Sequence, residues 1–208
     1  MTLRQAAIRL TTLAVLIGGA AWFRASRQSL HYPPGILVPR EPLQTDVTPL
    51  QRPLEAAGWT LKPLAGYSIE ARVLGKERYK SDSTAGLSPW DLALGWGRMS
   101  DESVLERLDI SQGDRFYRWQ YWGNAPLPDK EIVTHSANVH VIPASAEIRE
   151  KIASLRVGSI VKLEGWLVEA THPQANQPWR SSLTRDDEGE GACEILYVRS
   201  VSETTPKH

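Results

Sequence analysis

The hydrophobic and polar positions of this chain fall into a series of short periodic runs. The clearest is SIVKLEGWLVEA, Ser159 to Ala170. Val161, Leu163 and Leu167 share one face by a period of two, with Gly165 between them. Lys162, Glu164 and Trp166 share the other, as in a half-buried strand. Tyr67 to Leu74 alternates likewise, with Ile69, Ala71 and Val73 on one side. RFYRWQYW, Arg115 to Trp122, reads as an aromatic strand. Phe116 and Trp122 lie on one face with Arg118 and Gln120; Tyr117, Trp119 and Tyr121 lie on the other with Arg115. The pattern leaves open which of these faces is core and which is a binding surface. Glu131 to Ile142, Trp179 to Thr184 and Ala192 to Val201 are further predicted strands.

Three helices interrupt them. Ser145 caps Ala146 to Arg156, where Ile148, Ile152 and Leu155 repeat at helical spacing and Gly158 follows the end. Ser88-Pro89 predicts a short helix from Pro89 to Leu94, stopped by Gly95 and Gly97. Ser100 predicts a second from Asp101 to Leu108. Strands separated by short helices predict an α+β fold: a mostly antiparallel, strongly curved sheet or small barrel with short helices, preceded by an N-terminal membrane helix. The helix leading into a long strand is loosely like oligonucleotide-binding barrels, at the level of the fold alone.

The first 27 residues differ from the rest. Ala6 to Phe23 is apolar apart from Arg9, Thr11 and Thr12. Its strongest part, Leu10 to Phe23, is about 14 residues, the length of a signal-peptide core or a short membrane span. No clear cleavage site follows, because Gly19-Ala20-Ala21 runs into Trp22-Phe23. An uncleaved anchor is therefore expected, with a cleaved signal and a buried helix as alternatives. Residues 28–53 form a Pro-rich linker: six prolines lie between Tyr32 and Pro53 (Pro33, Pro34, Pro39, Pro42, Pro49 and Pro53). It either spaces the body from the membrane or lies along it with Ile36, Leu37 and Val38 buried. Residues 54–202 form a single α+β domain, and 203–208 a frayed tail.

Composition supports a folded body, with 41% hydrophobic and 23% charged residues. The net charge is zero, but Arg4, Arg9, Arg24 and Arg27 all fall in the N-terminal segment. The remainder holds 20 basic and 24 acidic residues. A mildly acidic body lacks the basic footprint of phosphate-backbone binding, so nucleic acid is disfavoured as a partner. The single cysteine, Cys193, excludes an intrachain disulfide and reads as a small buried hydrophobe on the last strand.

The most site-like stretch is His135 to His140. The two histidines are an odd number apart and point to opposite faces of a strand, whereas Asn138 and His140 share a face with Ser136. Trp179, Arg180 and Arg185 combine an aromatic ring and two guanidinium groups, a set suited to a carboxylate or a sugar. His135, Asn138, His140, Trp179, Arg180 and Arg185 are therefore the candidate ligand-binding residues. Asp91, flanked by Trp90 and Trp96, suits a general acid whose pKa apolar rings would raise, but the Ser88 spacing already explains it as a helix-capping carboxylate. Glycine-rich phosphate loops, zinc-ligand spacings and a nucleophile elbow are missing from the sequence, so no catalytic residue, metal or cofactor is assigned.

The stretches PPGILVPREPLQ, LSPWDLALGWGRMSD, SANVHVIPA and SSLTRDDEGEGACE together resemble an uncharacterised family of small bacterial proteins with an N-terminal anchor. That resemblance covers most of the chain from Pro33 onward. It implies an envelope location and carries no activity. The expectation is a single-pass inner-membrane protein, held through residues 6–23 with its body in the periplasm. There it binds or scaffolds an envelope protein. The alternatives are a metal-independent hydrolase or lyase using His140, and a membrane-tethered nucleic-acid-binding barrel.

Overall fold

The structure is a computed structural model that describes residues 28–48, 53–185, 189 and 191–204. The expected anchor, 6–23, lies outside the described residues. Among those residues no helix is long and apolar enough to cross a membrane. The body is mostly sheet with a few short helices, in line with the α+β expectation.

Among the described residues ten strands carry it: β1 Leu43–Thr45, β2 Leu54–Ala56, β3 Trp59–Arg78, β4 Trp90–Gly95, β5 Asp109–Gly113, β6 Phe116–Gln120, β7 Ser136–Pro143, β8 Ile160–Thr171, β9 Trp179–Arg180 and β10 Glu194–Thr204. The α-helices described between them are α1 Glu102–Leu105, α2 Asp129–Thr134 and α3 Ala146–Ser154. The main sheet is strongly curved and mostly antiparallel. Its pairing runs β3–β4–β7–β10–β8, with only β7–β10 parallel, and β8 then pairs with β3 again. Twenty-residue β3 makes this possible. One of its edges takes β2, β1 and β4 in succession while the other takes β8. Irregularities at Pro63/Ala65, Val73/Gly75 and Val198/Ser200 supply the bends. At the last of these β10 passes so close that a Cβ on Gly165 would collide with the Tyr197 carbonyl, so glycine is needed there for backbone approach.

The inner face holds the main core, with Ile69, Ala71 and Val73 of β3, Leu92 and Leu94 of β4, Val139 and Val141 of β7, and Val161, Leu163 and Leu167 of β8. Helix α3, capped by the Ser145 side chain on the Ile148 N–H, adds Ile148 and Ile152 to that core. The alternation read for β3 and β8 is thus the inside–outside pattern of the sheet. Truncating a residue such as Leu163 costs about 2–5 kcal/mol through lost transfer energy and the cavity left behind.

Several local expectations are corrected. Pro89 to Leu94 is not a helix. Trp90, Leu92 and Leu94 point into the main core and Asp91 and Ala93 to the other side, all as part of β4. Both faces are buried, so no polar alternation marked the strand, and the Ser-Pro cue was local only. Glu131 to Ile142 is two elements. Helix α2 occupies the first part, with Pro128 at its N-cap and Asp129 and Glu131 in its first turn, and β7 begins at Ser136. The strand expected from Trp179 to Thr184 is only Trp179–Arg180. Glu203 and Thr204 continue β10 rather than fray: Glu203 accepts a hydrogen bond from the Ser159 hydroxyl at 2.6 Å.

The Pro-rich segment follows the second of its two readings. The Val38 side chain is buried in the main core, Leu37 packs against it, and Ile36 turns outward. Backbone N–H groups of Tyr32, Gly35, Leu37 and Val38 donate to Glu102, Asp101 and Ser100, and β1 joins the sheet.

Candidate functional site

Antiparallel register between β4 and β7 places Asp91 opposite His140, on the face turned away from the main core. Asp91 is 0% exposed and His140 3%. His140 Nδ1 lies 2.9 Å from Asp91 Oδ1. Nδ1 makes no hydrogen bond there, so the pair is a close polar contact and not a directed hydrogen bond. The Trp179 ring, brought over by β9, sits 4.9 Å from the imidazole.

The third member comes from the hairpin of β5 and β6. Gly113 pairs with Phe116, leaving a two-residue turn, Asp114-Arg115, with φ of 54° and 68°. Such turns favour asparagine and glycine because a side chain strains the left-handed conformation. Arg115 accepts that strain and spends its guanidinium inward. Nη1 donates to Asp91 Oδ1 at 2.8 Å and to the Ser88 carbonyl at 3.0 Å. Nη2 donates to both oxygens of Asp82, at 2.9 and 3.0 Å. The guanidinium also lies 3.9 Å over the Tyr79 ring, and the Arg115 N–H donates to the Tyr79 hydroxyl. Asn138 donates to the Arg115 carbonyl and accepts from Gln112, locking β5 and β6 to β7.

Acidic and nitrogen-bearing side chains alternate along the network, Asp82–Arg115–Asp91–His140. Burial pushes the Asp82 carboxyl up, but hydrogen bonds from Arg115 and Thr84 outweigh it and hold the group below its ordinary value. Asp91 Oδ2 and Arg115 Nε have no hydrogen-bond partner, so the network has polar capacity to spare. An imidazole beside a carboxylate can act as a general base, although Asp91 does not hold this one by a directed hydrogen bond. Among the described residues no group of three or more His, Cys, Asp or Glu is gathered to hold a metal ion.

Of the residues singled out from sequence, Asn138, His140 and Trp179 come together here. The others do not join them. His135 ends α2, with Nδ1 3.1 Å from the Glu131 carbonyl and its ring against Gly97. Arg180 pairs with Glu169 at 2.6 Å on the outside of β8. Arg185 donates to the Tyr67 hydroxyl and the Pro42 carbonyl and lies between the Tyr67 and Trp96 rings. Cys193 is half-buried just before β10, with Sγ 3.7 Å from Asn138 Nδ2. Sequence reasoning missed Asp82 and Arg115, and gave Asp91 to a helix cap. For Asp91 the period-two spacing of Trp90, Leu92 and Leu94 was the available signal. Arg115 was read as part of a strand face, and nothing local showed that it sits in the turn.

The chain matches no family model, no curated protein and no solved structure.

Proposed function

We propose that the strand circuit is a small barrel of the oligonucleotide-binding type, tethered to the bacterial inner membrane by residues 6–23 with its body in the periplasm. There it serves as a binding or scaffolding module for another envelope protein. The observation that carries this reading is the outer face of the β5–β6 hairpin. Phe116, Arg118, Gln120 and the adjoining Trp122 point away from the body, and Trp122 is 76% exposed. Arg118 lies 5.6 Å over the Phe116 ring. Exposed aromatic rings with arginine are the composition of protein interfaces and their strongest contacts. Barrels of this type use their second and third strands for ligands. Here the corresponding strands, β4 and β7, are covered by the hairpin, which moves the contact surface outward. The acidic body argues against nucleic acid as the partner.

The test uses the full chain in cells, with a photo-crosslinking residue at Trp122 and, as control, at exposed Glu106. A protein adduct at 122 alone, with a C-terminal tag digested from outside spheroplasts, supports the proposal. A saccharide or nucleic-acid adduct, or a protected tag, overturns it.

A second reading, a metal-independent hydrolase or lyase using His140, is favoured by the 2.9 Å Asp91–His140 contact. It requires Trp179 to move off the imidazole.

A further inference from the structure

A groove of about 390 Å³ crosses β1, β3, β8 and β10. The side chains that line it alternate with the core residues Ile69 and Leu163, so it lies on the outer face of the main sheet. Strand register builds it. Leu43, Ser68, Glu164 and Ser200 form one cross-strand row, and Thr45, Gly66, Trp166 and Tyr197 form the next. Arg199 is the unpaired residue at the irregularity of β10, the kind of bulge that re-aims a side chain. Its guanidinium lies 4.3 Å over the Trp166 ring, and that ring stacks with Tyr197.

The polar groups of this groove are exposed to solvent and largely unused. Arg199 is exposed and makes no hydrogen bond or ion pair with another described residue. The hydroxyls of Thr45, Ser68 and Ser200 have no hydrogen-bond partner among the described residues either. Half-buried Glu164 gives Oε1 to Lys162 at 2.5 Å and has Oε2 to spare. A sugar hydroxyl both donates and accepts, so its site needs partners of both kinds. Here a guanidinium held flat against a ring donates, a carboxylate accepts, and serine and threonine hydroxyls do either. Exposed Leu43 adds an apolar contact for the C–H face of a pyranose ring. An anion would meet the Glu164 charge, and a wholly apolar ligand would strand the hydroxyls. The volume falls within the ~300–1,000 Å³ of small-molecule sites. We propose that this groove binds a neutral mono- or disaccharide, with Arg199 donating to its hydroxyls and Glu164 accepting from them. None of the described lining residues belongs to the β5–β6 hairpin, so the assignment does not rest on the docking role given to that face.

Saturation-transfer NMR on the full-length chain, kept in a detergent without a sugar headgroup, reads binding directly. The probes are cellobiose, maltose, lactose and N,N′-diacetylchitobiose, with glucose 1-phosphate as the anionic control. At least one of the disaccharides is expected to show transfer at millimolar concentration. Arg199→Met keeps the stem over Trp166 and removes the donors. Affinity should fall about tenfold, the worth of a hydrogen bond to a charged group. Glu164→Gln should weaken the sugar severalfold, whereas it would strengthen an anion by removing repulsion. Both side chains reach solvent, and a urea melt of each variant checks that the fold is kept. Silence from all four disaccharides overturns the assignment, as does sugar binding unchanged by Arg199→Met. Glucose 1-phosphate binding more tightly than every disaccharide, and tighter still in Glu164→Gln, would make the groove an anion site and overturn it too.

Discussion

Two arginines lie on the side of the sheet away from the main core, Arg72 buried and Arg115 half-buried, and they are used differently. Arg72 lies under the Pro-rich strap. It donates to the Ser100 and Leu30 carbonyls and pairs with Glu102, whose oxygens also take the His31 ring and the Tyr32 N–H. Both carboxylate oxygens are engaged, and the partners are largely backbone. Arg115 lies under the hairpin among side chains, in a strained turn, and its partner Asp91 keeps one oxygen unused. The first arrangement fastens a chain segment. Both arginines leave Nε without a partner, but the second arrangement also leaves a carboxylate oxygen unused beside an imidazole, which makes it the more site-like of the two.

The sharpest way to break this contrast is to remove Arg72. With Arg72→Met, Glu102 is left charged, buried and without its cation, and such changes cost about 3–5 kcal/mol. Urea unfolding should show that loss. Hydrogen exchange should place the early opening in residues 30–38, with β5 and β6 still protected.

Asp91→Asn is expected to cost less, about 1–3 kcal/mol, because Arg115 keeps Asp82 and the Ser88 carbonyl. Loosening should be confined to the hairpin. A global loss as large as that of Arg72→Met would make Asp91 a core fastener and remove the support for a His140 enzyme.

How much of this contrast was legible beforehand depends on the range of the signals involved. Helix α3 and strands β3, β8 and β10 announced themselves because one face is buried and the other is not, so period and environment agree. Strand β4 is buried on both sides and follows a Ser-Pro pair, so the local helix cue prevailed over its spacing. The β-branched residues of EIVT hid α2. Asn138 and His140 were found because a polar pair on one face of an apolar strand is visible locally. Arg115 was not, since its role depends on the turn conformation and on carboxylates from a distant segment.

Acid should separate the two regions in order. Burial pushes Glu102 up, but hydrogen bonds from His31, Arg72 and the Tyr32 N–H hold it below its ordinary 4.5. Burial likewise raises Asp101, while the Gly35 N–H and Ser103 hold it below 3.8. On the hairpin side Asp82 is the carboxylate held below 3.8. A lowered folded value means stability that is complete above the unfolded value and lost as pH falls through the folded one. Loss should therefore begin in the strap as pH drops below 4.5, ahead of the hairpin. Glu102→Gln should flatten the stability profile measured by urea melts from 4.5 downward, and leave the hairpin's own acid loss in place.

The smallest effect on stability, and the one that most sharpens the separation between fastening and contact, is Trp122→Ser. Its neighbour Tyr121 holds the end of the hairpin, stacking on Trp119 and donating to Asp129. The Trp122 ring, three-quarters exposed, is not required for that. A surface change of this kind shifts stability by no more than about 0.5 kcal/mol. The melt should be unchanged while a partner adduct formed from a photo-crosslinker at Arg118 disappears. A loss above about 1 kcal/mol would mean that the ring packs on the folded chain itself. The hairpin would then be fastened on both faces, and no docking surface would remain on it.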